Sequence, residues 1–401
     1  MKYVVILGDG MADFAVKELN NKTPLEVADK PNIDLLASKG ITGMIKTVPD
    51  GMSPGSDVAN LGAMGFNPEK YYTGRSPLEA VSVGIDLDDT DITFRVNLVT
   101  LSDDENYEDK TMIDYSSDEI TTEEATILIN DLAKELNTDI HKFHPGFSYR
   151  HILVWNNGKL DFTLTPPHDI TGKKITEYLP KGQNSEVLLD FMKKSCEILK
   201  NHPVNKARIE KGLRPASSIW PWGVGKKATL PDFEQMRGLK GAVVSAVDLL
   251  KGIGMSAGMT CPEIEGATGN IHTNFEGKAQ TAIELLKDHD FIYVHVEAPD
   301  ECGHRGEIEN KVKSIEIIDK KIVEPILNYL DKSGEDYKVL VMPDHPTPLC
   351  IMTHVSDPVP FIIYHKSDEK QNEVKVYTEE NCKKSGIFYE NGYKLMDDFI
   401  A

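Results

Sequence analysis

The sequence contains little cysteine, and its cysteines are not arranged in pairs. Five are present with no C-x-x-C spacing, at positions 196, 261, 302, 350 and 382. An odd number of widely spaced cysteines argues against a disulfide framework and against a thiolate zinc site. The sequence therefore predicts reduced thiols in a cytoplasmic protein.

Positive charge is also scarce. Lysine and arginine together number 44 against 64 acidic residues, which gives a formal net charge of −20 at pH 7. This acidic excess argues against non-specific binding to nucleic acid or to an anionic membrane. An anionic small-molecule substrate would need local positive charge from arginine, lysine or a bound metal ion.

Long apolar runs are missing as well. The first one, YVVIL at 3–7, has five apolar residues before Gly8 and Asp9, and no later run is long enough to cross a bilayer. A run of this length is too short for a signal-peptide core or a membrane span. We therefore expect no membrane segment.

What is present is an alternation of short β-rich runs with helical patterns. A chain of 401 residues is too long for one small core and suits two domains, or a large domain with an insertion. Apolar residues recur at three- and four-residue steps over 307–330, which predicts a helix. Short apolar strands alternating with helices predict an α/β fold with a largely parallel sheet. The predicted strands are 3–7, 42–48, 241–247, 291–297, 337–342 and 360–365.

The middle of the chain has a different composition. Residues 86–195 are rich in Asp, Thr and Glu at their start and then predict a helix over 123–137 followed by alternating segments. This pattern favours a smaller α+β domain, 86–195, inserted into a core domain made of 1–85 and 196–401.

Acidic and imidazole side chains directly follow several predicted strands; they are Asp9, Asp300, His304, Asp344, His345 and His354. In an open parallel sheet the carboxyl ends of the strands line one edge, so distant residues meet there. Asp300 and His304 are four apart, which places them on one helix face. Asp344 and His345 are adjacent, so we expect their side chains to point apart.

Such a group of side chains is typical of a metal centre. Three carboxylates and three imidazoles are costly to bury together unless a cation compensates them. Nitrogen and oxygen ligands without thiolates suit Mn²⁺ or Zn²⁺, with Mg²⁺ as a third choice, and the ligand number suits two ions. Each segment alone is explained as well by a helix cap or a turn. The prediction depends on their joint occurrence.

A candidate nucleophile lies in PGSDVANLGAMG, where Ser56 follows Pro-Gly at the start of a predicted helix. A helix start favours a phosphoryl group, and a neighbouring divalent ion helps a hydroxyl to ionise. The alternative is that Ser53 or Ser56 is only a helix N-cap.

Some basic side chains could bind an anionic substrate; the candidates are Arg75, Arg95, Arg150, His151, His168 and Lys251. We favour the three arginines because arginine can grip a carboxylate or phosphate with two parallel hydrogen bonds.

Nucleotide-binding motifs are not supported. KGIGMSAG at 251–258 spaces its glycines as G-x-G-x-x-x-G without an identifiable acidic ribose contact, and we interpret it as a turn. No G-x-x-x-x-G-K-[ST] motif occurs in the sequence, so a P-loop is excluded.

Several motifs together resemble the alkaline phosphatase superfamily. They are Asp9 in GDG, Ser56 in PGSDVAN, APDECGH at 298–304, PDH at 343–345 and His354 in THVSDPVPF. More closely, the chain resembles the cofactor-independent phosphoglycerate mutases of the archaeal type. The similarity extends over nearly the whole chain, including GRSPLEAVSVGI, FRVNLVT, YRHILV and HPVNKARIEKGLRPA.

The resemblance implies an alkaline-phosphatase-like three-layer core with two divalent metal ions, and a smaller inserted domain that closes over the substrate. One ion would be held by Asp300, His304 and His354. The other would be held by Asp9, Ser56, Asp344 and His345. Ser56 would accept the phosphate of 3-phosphoglycerate, the glycerate would reorient, and the phosphate would return to the 2-hydroxyl. His151 and His168 are candidates for proton transfer.

Two alternatives remain open at this point. Some bacterial sequences of this type resemble a subgroup proposed to act as homoserine kinase, so another phosphotransferase or phosphatase activity is the second hypothesis. Departures from the usual mutase pattern, GRSP where GRGP is expected and TPPH where DTDPH is common, fall near the expected substrate pocket. The third hypothesis is a non-catalytic protein whose metals are structural.

Overall fold

The structure is a computed structural model that describes residues 1–371 and 373–401. It divides into two compact units. The core unit comprises Met1–Tyr72 and Thr229–Ala401, and the insert unit comprises Thr73–Ala228. None of the helices in the described residues is both long and apolar enough to cross a membrane.

The strands of the described residues are β1 (Lys2–Gly8), β2 (Ile41–Ile45), β3 (Ile92–Leu101), β4 (Met112–Asp114), β5 (His141–Phe147), β6 (Arg150–Trp155), β7 (Phe162–Thr163), β8 (Lys181–Gly182), β9 (Ser218–Lys226), β10 (Gly241–Val244), β11 (Phe291–Val296), β12 (Tyr337–Met342), β13 (Val359–His365) and β14 (Phe388–Tyr389). The α-helices are α1 (Pro24–Val27), α2 (Pro31–Lys39), α3 (Ser56–Ala63), α4 (Pro68–Tyr71), α5 (Ser76–Ser82), α6 (Thr122–Leu136), α7 (Ser185–Leu199), α8 (Pro203–Glu210), α9 (Phe233–Arg237), α10 (Asp248–Ser256), α11 (Phe275–Leu285), α12 (Ala298–His304), α13 (Ile308–Ile318), α14 (Glu324–Ser333), α15 (Glu379–Lys384) and α16 (Leu395–Ile400).

The core unit is built on a seven-stranded sheet in the order β10-β11-β1-β12-β13-β2-β14. Strands β10, β11, β1 and β12 run parallel, so the predicted α/β fold with a mainly parallel sheet is confirmed. One predicted strand runs the other way, because β13 is antiparallel to β12; β2 is antiparallel to β13 and therefore runs in the same direction as β12. The reason is that residues 343–358 connect β12 to β13 without a helix, and a parallel neighbour requires a crossover.

The sheet of the core unit is buried on both faces. On one face, residues such as Val4 and Val294 pack into a core that includes residues of α2, α11, α13 and α14. On the other face, Tyr3 contacts Phe399 of α16 and Phe291 contacts Phe233 of α9. Helices on both sides of the sheet give the three layers that the sequence resemblance implied.

The predicted helix over 307–330 is observed with an irregularity in its middle. Helix α13 continues through a π-helical segment, Asp319–Val323, into α14. Pro325 lies at the start of α14, where a proline cannot donate to the preceding turn and its ring crowds the carbonyl four residues earlier. The wider π turn accommodates that proline without ending the helix.

In the segment predicted as a turn, residues 251–256 belong to α10, so the prediction was wrong there, and residues 257–258 form a turn after the helix. Gly254 serves packing. A Cβ on Gly254 would lie 2.7 Å from Cγ2 of Val243 on β10, so only glycine lets the helix approach the strand this closely.

The insert unit contains a five-stranded sheet in which β4, β3, β6 and β5 are neighbours and β9 pairs with β3. Its strand pairs are antiparallel. Helix α6 matches the predicted helix at 123–137, and its N-cap Thr121 accepts a hydrogen bond from the backbone N–H of Glu124. This composition fits the predicted α+β character.

The limits of the insert unit differ from the sequence-based boundaries at 85/86 and 195/196. The structure places them at 72/73 and 228/229. Strand β9 pairs along most of β3, and α5 packs against β3, so both elements lie with the insert unit. The sequence pattern of 196–228 could not reveal that pairing, because the partner strand is more than 100 residues away.

A buried ion pair links two loops of the core unit. Lys311 of α13 donates to Oδ2 of Asp13 at 2.7 Å and to the carbonyl of Thr347 at 2.8 Å. The side chains of Lys311 and Asp13 are at most 1% exposed. Asp13 follows β1 and Thr347 follows β12, so Lys311 ties together the loops that leave these neighbouring strands.

We expect Lys311→Met to lower the free energy of unfolding by about 3–5 kcal/mol, because it leaves the carboxylate of Asp13 buried without its cation. Urea denaturation of the purified variant measures the loss. The double variant Asp13→Asn, Lys311→Met should recover part of it. Lys332→Met, on the exposed side of α14, is the matched control and should change stability by less than about 0.5 kcal/mol. A loss as small as the control's would contradict the role given to the pair.

Candidate active site

The carboxyl ends of three neighbouring strands bring three carboxylates together. Asp9 follows β1, Asp300 lies in α12 after β11, and Asp344 follows β12. In the sheet, Gly8 of β1 lies opposite Val296 of β11, and Leu7 of β1 lies opposite Met342 of β12. Because the three strands are parallel and in register, their carboxyl ends share one edge.

The first ligand group consists of Asp300, His304 and His354. Nε2 of His304 lies 3.3 Å from Oδ2 of Asp300, and Nε2 of His354 lies 3.3 Å from Oδ1. The two Nε2 atoms are 2.8 Å apart. Nδ1 of His304 lies 3.0 Å from the carbonyl of Met352, which keeps Nε2 directed at the group. Two imidazole nitrogens and a carboxylate converging on one point can hold a metal ion.

The second ligand group consists of Asp9, Asp300 and His345, so Asp300 belongs to both groups. Nε2 of His345 lies 3.6 Å from Oδ1 of Asp9. That Oδ1 atom is buried, and no hydrogen-bond donor in the described part of the chain reaches it. A buried carboxylate oxygen without a donor is costly unless a cation faces it, so these residues fit a bound ion.

Asp344 lies beside the second group, and its oxygens are already engaged. Oδ1 accepts hydrogen bonds from the backbone N–H groups of Gly10 and His345, at 3.1 and 2.9 Å. Oδ2 accepts one from Asn60 at 2.8 Å and lies 3.3 Å from Nε2 of His345. The expectation that Asp344 and His345 point apart was wrong, because both lie beyond the end of β12, where the alternation of a strand no longer applies.

Ser56 is the first residue of α3, and its Oγ lies 3.1 Å from Nε2 of His345. The N-cap of α3 is Gly55, and no side chain caps the helix. The explanation of Ser56 as an N-cap residue is therefore wrong. The sequence-predicted nucleophile lies directly beside a predicted ligand.

The pKa values of the site reflect crowded charge. Burial raises the pKa of Asp9 well above its ordinary value, and the charges of Asp344 and Asp300 raise it further. Burial alone would also raise the pKa of Asp300, but hydrogen bonds from His304 and His354 hold it well below its ordinary value. The hydrogen bond to Asp300 raises the pKa of His304 to about 9. Both raised pKa values favour the protonated forms of Asp9 and His304, which reduces the net negative charge of the metal-free site.

In the insert unit, two of the predicted arginines share one carboxylate. Nε of Arg75 lies 2.8 Å from Oε1 of Glu79, and Nε of Arg95 lies 3.0 Å from Oε2. Burial alone would raise the pKa of Glu79, but the charges of Arg95, Arg75 and Arg150 outweigh it and lower the pKa. The guanidinium of Arg95 also lies 4.4 Å from the centre of the Trp222 ring. Three cations around one carboxylate leave an excess of positive charge, which suits an anionic ligand.

The remaining predicted residues have different surroundings. His151 is buried on β6, and burial lowers its pKa to about 3, so its ring is neutral at pH 7. The side chain of His168 is 46% exposed, its ring centre lies 5.3 Å from that of Trp222, and desolvation of its covered part lowers its pKa. Lys251 is in the core unit, 2.8 Å from a carboxylate oxygen of Glu263. His168 and Arg95 thus share Trp222 as a neighbour, and the cation of Lys251 is already paired.

Sequence reasoning missed residues that contact the candidate ligands. Nε2 of His295 lies 2.8 Å from Oδ2 of Asp9, and Thr347 donates to Oδ1 of Asp300. Asn60, four residues after Ser56, contacts Asp344. A histidine inside the apolar strand FIYVHV was the one available signal, because an imidazole in a fully buried strand needs polar partners.

Similarity to known proteins extends over the whole chain. The family model described as 2,3-bisphosphoglycerate-independent phosphoglycerate mutase matches residues 37–205. A protein of Geobacter sulfurreducens, named as a probable member of this enzyme class, is 48% identical over 99% of both chains. The 2,3-bisphosphoglycerate-independent phosphoglycerate mutase of Methanosarcina mazei is 48% identical over 96% of both chains.

Solved structures agree with the sequence relatives. A Pyrococcus horikoshii protein superposes with a TM-score of 0.82 at 31% identity, covering 100% of this chain and 97% of the other. The cofactor-independent phosphoglycerate mutase of Thermoplasma acidophilum has a TM-score of 0.66 at 25% identity, covering 100% and 99%. The fold of both units therefore has known counterparts.

We expect Mn²⁺ binding to release protons at pH 7. The pKa of His304 is raised from 6.5 to about 9, so the metal-free protein holds a proton there that a metal ion must displace. That proton stabilises the folded metal-free protein. Its contribution is complete below about pH 6.5 and is lost as the pH rises through about 9. The apparent affinity for Mn²⁺ should therefore increase over the same range.

Calorimetric titrations in two buffers of different ionisation enthalpy measure the proton release. His365→Gln, which removes a core-unit histidine paired with Asp336, is the control and should release as many protons as the unmodified chain. Identical heats in both buffers at pH 7 would contradict the protonated state of His304.

Proposed function

The chain belongs to the 2,3-bisphosphoglycerate-independent phosphoglycerate mutase family, and from this premise we propose that it interconverts 3-phosphoglycerate and 2-phosphoglycerate through a phosphoserine at Ser56. The observation that carries the proposal is the position of Ser56. Its Oγ lies at the start of α3, 3.1 Å from Nε2 of His345, beside two groups of ligating side chains.

We propose that two divalent ions occupy these groups, either Mn²⁺ or Zn²⁺, with Mg²⁺ as a third choice. One ion would be held by Asp300, His304 and His354. The other would be held by Asp9, Ser56, Asp344 and His345. When bound, the ions supply positive charge that favours an ionised serine and compensates the phosphoryl oxygens.

The reaction then consists of two displacements at phosphorus. Ser56 Oγ loses its proton and attacks the phosphoryl group of 3-phosphoglycerate, the bond from phosphorus to the C3 oxygen breaks, and that oxygen takes up a proton. The glycerate reorients without leaving. Its C2 hydroxyl then loses a proton and attacks the phosphoserine, the bond from phosphorus to Ser56 Oγ breaks, and Oγ takes up a proton as 2-phosphoglycerate is released. His151 and His168 are our candidates for the proton transfer.

We propose that the insert unit binds the anionic groups of the substrate through Arg75, Arg95 and Arg150. Glu79 holds Arg75 and Arg95 in a fixed arrangement before the substrate arrives, which lowers the entropic cost of binding. Closure of this unit over the substrate, a contact from Lys251 and a cytoplasmic location stay predictions.

The homoserine kinase alternative receives less support. One departure from the mutase pattern, the serine of GRSP, is Ser76, which is buried at the start of α5 and hydrogen-bonds to Thr93 of β3. A buried serine with an internal partner is explained by packing and does not indicate a different substrate. The relatives at 48% identity also carry the mutase name.

We expect Ser56→Ala to lower kcat by a factor on the order of 10⁴ or more, because removal of a covalent nucleophile abolishes both displacements. An enolase-coupled assay on Mn²⁺-loaded protein without 2,3-bisphosphoglycerate measures the rate. Ser53→Ala, an exposed serine of the same loop, is the control and should keep the rate of the unmodified chain. Removal of the ions by a chelator should stop turnover, and added Mn²⁺ should restore it.

Full turnover by Ser56→Ala would contradict the covalent step. The unmodified, Mn²⁺-loaded protein, given ATP and homoserine, should form no O-phosphohomoserine. Formation of that product in place of 2-phosphoglycerate would favour the kinase alternative.

We expect Arg95→Lys to raise KM for 3-phosphoglycerate by roughly 10- to 100-fold with a smaller effect on kcat, because lysine loses the forked geometry and a charged hydrogen bond contributes about 1.5–3 kcal/mol. Steady-state kinetics of the coupled assay separate the two constants. Arg214→Lys is the matched control, since Arg214 is an insert-unit arginine that pairs with Asp114 and Asp118 instead. An unchanged KM in Arg95→Lys would exclude Arg95 from substrate binding.

A further inference from the structure

Strand β11 has two polar side chains on one face of an otherwise apolar strand. Tyr293 and His295 are two residues apart in the strand and therefore point to the same side, and both are fully buried. The opposite face carries Ile292, Val294 and Val296, which pack in the main core. We call Tyr293 and His295 the support row, and each of them is connected to a carboxylate at the edge of the sheet.

His295 contacts Asp9 directly. Its Nε2 lies 2.8 Å from Oδ2 of Asp9, and its Nδ1 lies 3.1 Å from Oγ of Ser245. When Asp9 is ionised, as metal binding requires, its carboxylate only accepts, so Nε2 carries the proton and Nδ1 accepts from the hydroxyl of Ser245. This arrangement fixes the ring and holds one oxygen of Asp9. The other oxygen, Oδ1, has no donor within the described structure and is the one near Nε2 of His345.

Tyr293 is connected to a carboxylate indirectly, through one intervening residue. Its hydroxyl donates to Oδ1 of Asn60 at 2.7 Å, which fixes the orientation of that buried amide. The amide nitrogen of Asn60 then donates to Oδ2 of Asp344 at 2.8 Å and to the carbonyl of Ser56 at 2.9 Å. Asn60 therefore connects the first turn of the nucleophile's helix to a carboxylate beside the second ligand group.

We propose that the support row consists of positioning residues that orient Asp9 and Asp344 for metal binding. The inference rests on the metal centre of the proposed function and adds residues that neither the sequence motifs nor the ligand groups contain. Hydrogen bonds from outside the ligand shell orient ligating groups, and their loss typically weakens metal affinity by about 10- to 100-fold.

If Tyr293 and His295 only supported the fold, burying them would cost more free energy than burying apolar side chains in their place. Burying an imidazole and a phenol hydroxyl requires a partner for every polar atom, and apolar residues such as those on the opposite face need none. Of the side-chain partners described above, Asp9 belongs to the second ligand group, Asn60 lies on the helix of Ser56 and contacts Asp344, and Ser245 follows β10. The polar face of β11 is thus directed at the ligands and not at the general core.

Metal affinity separates positioning from structural support. Mn²⁺ binding to metal-free protein is measured by calorimetry, with Zn²⁺ as a second probe, and thermal unfolding of the same metal-free samples is measured in parallel. We expect His295→Leu to weaken Mn²⁺ binding by about 10- to 100-fold. His295→Gln, whose amide nitrogen can replace Nε2, should retain more of the affinity. Tyr293→Phe removes a single hydroxyl and should weaken binding less than His295→Leu does.

Phe291→Leu is the matched control. Phe291 lies on the same face of β11, at the opposite end of the strand from the carboxyl edge, is fully buried, and contacts Phe233. This variant should lower the unfolding temperature of the metal-free protein and leave Mn²⁺ affinity unchanged.

The outcomes distinguish the inference from the proposed function. If the unmodified chain binds neither ion, the proposed metal centre fails and the support row has nothing to orient. If the unmodified chain binds Mn²⁺ and His295→Leu and Tyr293→Phe bind it equally well, the inference alone is overturned. Should His295→Leu fail to fold, unchanged affinity in both Tyr293→Phe and His295→Gln overturns it, and weakened affinity in Tyr293→Phe supports it.

Discussion

The parallel register of β11, β1 and β12 is the constraint on which the rest of the site depends. It ends three strands at one edge and thereby forces Asp9, Asp300 and Asp344 together in a buried place. Carboxylates that lie close together repel each other, and burial strengthens the repulsion because little water screens it. The surrounding histidines and the proposed ions compensate this concentration of negative charge.

The sequence was sufficient for what depends on strand ends and helical spacing. Apolar runs followed by Asp9 and Asp344 located the edge of the sheet, and the four-residue step from Asp300 to His304 placed both in α12. It was not sufficient where distant pairing decides. The reversed direction of β13 and the assignment of β9 to the insert unit both depend on connections or partners that no local pattern records.

The supporting residues were harder to predict than the ligands. A candidate ligand such as His354 stands out because it lies in a polar, proline-containing loop, whereas His295 and Asn60 lie inside elements whose sequence is typical of ordinary core. Their polar atoms are satisfied by residues more than 200 positions away, such as Asp9 for His295 and Asp344 for Asn60. Only the observed register identifies these partners, and so the function of a buried polar residue becomes evident after the fold is known.

The net negative charge of the chain does not prevent the binding of an anionic substrate, because each unit can present positive charge locally. In the insert unit, Arg75 and Arg95 share the carboxylate of Glu79, so cations outnumber the acid that holds them. In the core unit, the carboxylates would attract metal ions whose charge then faces the phosphoryl group. A chain with a net charge of −20 can thus bind a phosphorylated acid, since the decisive field at each site comes from a few fixed groups and not from the total.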